Sequence, residues 1–388
     1  MSNFLAADIF APLVVVLGIL VFIVSKFALH GSFLKNIWPL LSVFIIGILG
    51  RSDVEVRDFQ RDLIYALVPI VLFYLGYMLA KKDVVFANVL KVLIFFGVIL
   101  CLLHLIQFGL KPSLLLKSGD EIRGEVYNPG GGLILLSLIL GLFQNRLNVR
   151  DLFPKFFPRT ISLVLLSISL FLSFSRTNLL VVFLIFISLV GLIDRMRLIS
   201  FLRISFLLLT LVLVVYNLPD DGDHSFKSKL LKSASEIAIS DYEDMSDIND
   251  KWRGYETYRA FIAFDSGGLL KKVSGYGFGS LIDLDLTILI GEVEYSKIPI
   301  LHNGYAYILV KMGLLGVVLY FSFYFIIIRK AFKNIRCGCR EKVITSRLML
   351  GLTLGLMFSM LVVGGMAQIH DSEFVLFVGY LSKRIDLL

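Results

Sequence analysis

Cysteine, proline, tryptophan and charge are all scarce in this 388-residue chain, which holds three Cys, nine Pro, two Trp and 18% Asp, Glu, Lys and Arg. Three cysteines cannot build a disulfide framework. Cys101 sits in an apolar run and Cys337 and Cys339 in a basic stretch; with no His or second Cys pair nearby, all three read as reduced and structural rather than as metal ligands. The low charge excludes an ordinary soluble enzyme, in which about 25% of residues are charged. What abounds is apolar: 57% of residues are hydrophobic, among them 33 Phe. They fall in blocks of roughly 15 to 24, separated by short charged stretches, which is the pattern of a polytopic helical membrane protein. The first block, from near Ile9, has no basic region before it and reads as a retained span rather than a cleaved signal.

The apolar runs predict spans near 9–25, 34–50, 63–80, 87–110, 131–144, 161–174, 177–193, 203–217, 304–328, 347–368 and 373–382. The expected fold is therefore all-α and polytopic, with about 11 (10–12) transmembrane helices and one large loop. The expected divisions are 1–217 for the N-terminal helices, about eight of them by this periodicity, 218–298 for the loop, and 299–388 for the C-terminal helices. Basic residues mark the cytoplasmic side, and Arg146, Arg150, Lys155 and Arg159, then Arg195, Arg197 and Arg203, then Arg329, Lys330, Lys333, Arg336, Arg340, Lys342 and Arg347, all follow odd-numbered spans. The net charge of +8 is thus a topology signal that also favours anionic lipid head groups, and nucleic acid is not needed to account for it. The loop at 218–298 falls on the other face, with 15 acidic and 9 basic residues. Within it Trp252, Tyr255, Tyr258 or Arg259, and Ile262 recur every three to four residues, predicting an amphipathic helix on the bilayer surface.

The segment richest in chemistry is Leu301-His302-Asn303-Gly304-Tyr305, followed by Lys311-Met312-Gly313-Leu314-Leu315-Gly316. It stands where the loop becomes the ninth span, just after Pro299, so His302 and Asn303 are expected at a helix N-terminus. The dipole there favours a neutral, base-competent imidazole, and free N–H groups could receive an anion such as phosphate. A capping or interfacial His is the plainer alternative. His104 reads as a satisfied core histidine, and Lys311 as facing a polar cleft or an acidic lipid. His370 and Asp371, at the outer end of the tenth span, read as a cap, with a place in the lining of the site as the alternative. Asp283-Leu284-Asp285 has the spacing of any amphipathic strand, and Gly275-x-Gly277-x-Gly279 is no nucleotide fingerprint.

His302-Asn303, nine residues, then Gly313-x-x-Gly316 resembles the motif shared by O-antigen ligases and Wzy-type O-antigen polymerases. Trp252-Arg253-Gly254-Tyr255 through Gly275-Tyr276-Gly277-Phe278-Gly279, and the Phe174-Ser175-Arg176-Thr177 turn, are similar to that family as well. The residue match covers about 130–318, and outside it the similarity is one of hydropathy. The resemblance implies a metal-independent, inverting glycosyltransferase of the class C kind, without cofactor, in the bacterial inner membrane with its site facing the periplasm. Its substrate would be an undecaprenyl-diphosphate-linked oligosaccharide, and its partners membrane lipids, a chain-length regulator and a flippase. Polymerase is the preferred reading; the alternatives are a ligase to lipid A core and, less favoured, a polysaccharide flippase or exporter.

A departing diphosphate needs cations that keep their charge, and guanidinium suits bidentate phosphate contact. The outer-face candidates are Arg51, Arg57, Arg61, Arg123, Arg176, Arg253 and Arg259. His302 and Arg176 are the expected catalytic pair, with Asn303, Arg123, Arg253, Arg259 and Tyr305 as substrate contacts. Arg176 stands in a turn between apolar spans, where an unpaired charge is costly, with snorkelling as the alternative. Arg123 precedes the Asn128-Pro129 and Gly130–Gly132 start of the fifth span. Arg253 is favoured over Arg259 because the resemblance centres on it.

Overall fold

The computed structural model describes residues 2–25, 31–50, 54–81, 86–116, 122, 125–126, 131–149, 151–154, 157–173, 175–193, 239, 242, 245–290, 293–337, 339–369 and 371–388. The predicted span 203–217, most of the loop before Met245, and the positions Arg51, Arg123, Phe174 and His370 lie outside them. Each other predicted span is a helix: α1 (Ser2–Val24), α2 (Gly31–Leu49), α3 (Val56–Leu79), α4 (Phe86–Leu110), α5 (Gly131–Leu142), α6 (Arg159–Leu172), α7 (Arg176–Val190), then α11 (Gly304–Cys337), α12 (Arg340–Val363) and α13 (Ser372–Leu387). Between α7 and α11 come α8 (Met245–Asp250), α9 (Trp252–Ser266), α10 (Leu269–Ser274) and the strands β1 (Ile282–Ile290) and β2 (Val293–Ile298). Among the described residues five helices, α2, α3, α4, α11 and α12, are long and apolar enough to cross a membrane, while α1, α5, α6 and α7 contain shorter apolar stretches.

The fold is mostly helical, and the departure from an all-α reading is the antiparallel β1–β2 hairpin. Ile282 pairs with Ile298 and Asp283 with Lys297; the register then shifts before Ile288 meets Tyr295. Alternation explains the strand: Ile282 and Leu284 are buried, whereas Asp283 and Asp285 are exposed.

The chain forms two compact units. The first comprises 1–78, 229–329 and 356–380, the second 79–228, 330–355 and 381–388. In the second unit α4, α5, α6 and α7 pack together. His104, buried in α4, is held by the Ser169 hydroxyl at 2.8 Å, a satisfied core histidine. Ser175 caps α7 by accepting the Asn178 N–H at 3.2 Å, and the Ser188 hydroxyl donates to the Arg347 carbonyl at 2.6 Å.

In the first unit α3 and α13 approach closely enough that a Cβ on Gly76 would lie 1.8 Å from the Leu376 carbonyl oxygen, the close contact that small residues permit between apolar helices. The decisive feature of this unit is a break in α11. Gly313 has φ 66° and ψ −168°, a conformation open to glycine alone. The carbonyls of Val310 and Lys311 accept the N–H groups of Tyr276 (2.9 Å) and Gly277 (2.8 Å). The Gly275–Gly279 loop thus satisfies backbone acceptors at the interruption, as an apolar setting demands. A Cβ on Gly313 would meet the Val273 carbonyl oxygen at 2.3 Å, and one on Gly275 would meet the Lys311 carbonyl at 2.3 Å. Next to Gly277, the Phe278 N–H donates to the Gly47 carbonyl of α2 at 2.8 Å.

The side chain of Lys311 is wholly buried and reaches Asp62 of α3 at 2.6 Å, and it also donates to the Ser280 carbonyl. Asp62 accepts the Gly279 N–H at 2.7 Å and Arg61 at 3.2 Å, while Arg61 reaches Asp58 at 2.6 Å. Lys311 therefore faces a carboxylate of its own chain rather than a cleft or a lipid. Removing one member of such a buried pair leaves an uncompensated charge at a cost of about 3–5 kcal/mol, whereas an apolar replacement of both is far milder. Thermal unfolding in detergent should accordingly show Lys311→Met strongly destabilised, with Asp62→Leu/Lys311→Met recovering most of the loss.

Candidate functional site

His302 occupies the entry to α11 that its sequence position predicts. Asn303 is the cap: its side-chain oxygen accepts the Tyr305 N–H at 3.0 Å and the Ala306 N–H at 3.2 Å, and its carbonyl accepts the Tyr307 N–H at 3.0 Å. This narrows the expectation of free N–H groups awaiting an anion, because two of the first-turn donors that lack an intrahelical acceptor, those of Tyr305 and Ala306, are taken by the cap. The amide nitrogen of Asn303 is the part of that side chain left for a further contact.

The partner of His302 is a residue that sequence reasoning missed. Glu256 of α9 is 3% exposed, and its Oε2 receives both the backbone N–H of His302 at 2.9 Å and the ring Nδ1 at 2.8 Å. A carboxylate only accepts, so Nδ1 carries a proton, and in the neutral form of the ring the lone pair falls on Nε2. The imidazole side chain is 47% exposed. The result is a histidine fixed in tautomer and direction from below and open above, the orienter and base arrangement of acid–base catalysis.

The faces of α9 account for the oversight. Four consecutive residues near its start, Gly254 to Thr257, are buried, and Ala260 continues the buried side; Tyr258, Phe261 and Ile262 are exposed on the opposite side. The predicted apolar stripe is thus split, since Tyr255 is buried and its hydroxyl donates to the Leu284 carbonyl. Burial pushes the Tyr255 phenol above its ordinary range, which keeps it a donor. The available signal was Glu256 itself, one turn from both Trp252 and Ala260, an acidic residue on a row otherwise apolar.

Arg253 and Arg259 flank Glu256 by three residues on either side. Arg253 is half-buried. Arg259 turns to the hairpin, donating to the Asp283 carbonyl at 3.0 Å and to Asp285 at 3.1 Å. Tyr305 donates its hydroxyl to the Met357 carbonyl at 2.9 Å and stacks on Phe321 at 5.1 Å. The turn after α12 closes the other side, Gln368 donating its amide to the Leu301 carbonyl. Arg253, Glu256, Arg259, His302, Asn303 and Tyr305 all belong to the first unit. Arg176 is half-buried at the first position of α7 in the second unit, and Arg123 lies outside the described residues. Among the described residues no group of three or more His, Cys, Asp or Glu is arranged to hold a metal ion.

Residues 161–321 match the family model Wzy_C, described as O-antigen ligase. No curated protein matches the chain. The match takes in Arg176, all of α9, the glycine loop, His302-Asn303 and Gly313-x-x-Gly316. It bears out the resemblance to the O-antigen polymerase and ligase family, and it supports an activity of the O-antigen ligase or polymerase type in a multi-pass membrane protein.

One further group beside this site titrates in an accessible range. Asp371, at the start of α13, is hydrogen-bonded by the Ser359 hydroxyl, and burial lifts its carboxyl to about 6. The folded state then holds a proton that the unfolded chain releases near its ordinary value of about 4, so stability falls as pH rises between these values and levels off above them. Thermal unfolding followed from acidic to neutral pH should show this decline in the native protein and a flatter profile in Asp371→Asn.

Proposed function

We propose that the protein is an O-antigen polymerase that transfers glycan from undecaprenyl diphosphate to a lipid-linked repeat unit on the periplasmic face of the bacterial inner membrane. The observation that carries the reading is the buried Glu256 carboxylate holding the ring of His302 at the mouth of α11, inside the stretch that matches the family. Nε2 of His302 takes the proton of an acceptor sugar hydroxyl while its oxygen attacks the anomeric carbon. The bond from that carbon to the diphosphate oxygen breaks, and the configuration inverts. The Nδ1–H bond to Glu256 supports the imidazolium that forms, as a carboxylate orienter does in hydrolytic triads.

The leaving diphosphate falls to guanidinium groups: Arg176, assisted by Arg123 or Arg253. Arg259, engaged with Asp285, serves the hairpin in this reading unless it exchanges partners on substrate binding. Asn303 contacts the acceptor through its amide nitrogen, and Tyr305 borders the sugars. The transfer needs no metal or cofactor, because the proton goes to His302 and the negative charge to arginine. The remaining spans complete a bundle of about 11 helices, with 218–298 as the outer loop, and a chain-length regulator and a flippase acting beside it. The second reading is the ligase, favoured by the description of the matched family; it uses the same residues on a lipid A core acceptor.

Purified protein given lipid-diphosphate-linked repeat units, without metal, nucleotide sugar or lipid A core, should produce a ladder on a gel. His302→Ala and Arg176→Ala should abolish it. Glu256→Gln should lower kcat by about 10² or more with little change in KM, since it disturbs the tautomer and not the binding of substrate. Product formed only when lipid A core is added would instead identify the ligase.

A further inference from the structure

We propose that α10 and the outward face of α9 form a wedge seated in the bilayer interface, with lipid head groups and upper acyl chains as its partner. The side chains concerned are Tyr258, Phe261 and Ile262 on α9, and Leu269, Leu270 and Val273 on α10. Leu269 is 81% and Leu270 78% exposed, the largest uncovered aliphatic surface of the outer segment among the described residues. A protein surface in water does not retain such a patch without a partner.

Depth along α11 identifies the partner. After the break at Gly313, the exposed residues Leu314, Leu315, Val318, Phe321 and Phe325 form the lipid-facing side of this span. No charged residue occurs from Leu314 to Ile328, a rise of about 21 Å at 1.5 Å per residue. The hydrocarbon layer is about 30 Å thick. Snorkelling at Arg329 and beyond takes up part of the difference at one end, and the remainder extends the apolar layer past Leu314 at the other. The Val273 carbonyl and the Gly275 nitrogen lie against Gly313, 2.3 and 2.6 Å from where its Cβ would stand. The end of α10 therefore abuts the point where the uncharged, lipid-facing stretch of α11 begins.

The polar residues fit the same level. Lys271 lies 4.5 Å above the Tyr276 ring, and Lys272 reaches Asp265 at 2.6 Å, placing two ammonium groups beside the leucines where phosphate head groups stand. Apolar side chains flanked by lysine are the composition of an interfacial helix. The wedge itself rests on the membrane reading of α11 and not on the reaction proposed above.

The test uses the full-length protein in lipid nanodiscs, with Cys101, Cys337 and Cys339 replaced by Ser and a nitroxide attached at Leu270→Cys. Phe325→Cys serves as the lipid-facing reference and Lys297→Cys, exposed on β2, as the aqueous one. Collision rates with oxygen, which partitions into lipid, and with a water-soluble nickel chelate are compared. The oxygen-to-nickel ratio at position 270 should exceed that at 297 by about fivefold or more and approach that at 325, as burial to the acyl boundary requires. A ratio at 270 equal to that at 297, with 325 still protected, would overturn the wedge. No glycan is present, so either outcome is independent of whether the chain is a polymerase.

Discussion

An ammonium group in a membrane span must find its counter-charge inside the protein, and the first unit is arranged around that requirement. Lys311 meets Asp62 at 2.6 Å with both side chains excluded from solvent, and the pair joins α11 to α3. The same Asp62 oxygen receives the Gly279 N–H, and the Ser280 carbonyl receives Lys311. One ion pair therefore also clamps the glycine loop that fills the break in α11. If the clamp opened, the carbonyls of Val310 and Lys311 would lose the N–H groups they accept, in a setting where water cannot replace them.

The site follows from the same construction. The first nine residues of α11 form a short helix before the break, capped by Asn303, held by the loop and turned back so that Tyr305 stacks on Phe321. His302 sits at its tip, and α9 is tied to the hairpin by Tyr255 and Arg259, which delivers Glu256 beneath the imidazole. A histidine that is half exposed gains a fixed direction only because the groups under it are buried and satisfied. The motif His-Asn, nine residues, Gly-x-x-Gly thus joins two requirements on one helix: a cap with a base at one end and a glycine-only break at the other.

Much of this was legible from sequence for reasons that particular residues make plain. Apolar runs located every described long helix, because a bilayer leaves the backbone few alternatives to helix. The position of His302 at a helix start followed from Pro299 and the onset of the next apolar run. The role of Gly313 did not follow, since a glycine in a span reads equally as a packing contact, and its partner loop lies 34 to 38 residues earlier in the chain. Glu256 stayed hidden for a different reason. The periodicity of α9 was weighted toward its aromatic residues, whereas the buried run is Gly254 to Thr257 and its acid faces a residue 46 positions away. Burial against a distant segment leaves no mark on local periodicity.

Asp62 and Lys311 are separated by 249 positions, which bears on how the protein is made. Synthesis from the N-terminus delivers α3 to the bilayer well before Lys311 exists. Throughout that interval Asp62 sits at the end of a nascent span without its eventual partner. Arg61, adjacent in sequence and 3.2 Å away in the finished fold, is made at the same moment and supplies a local positive charge. Arg61 thus offsets part of the local negative charge in an intermediate of biosynthesis, and the arrival of α11 brings the Lys311 ammonium that completes the balance.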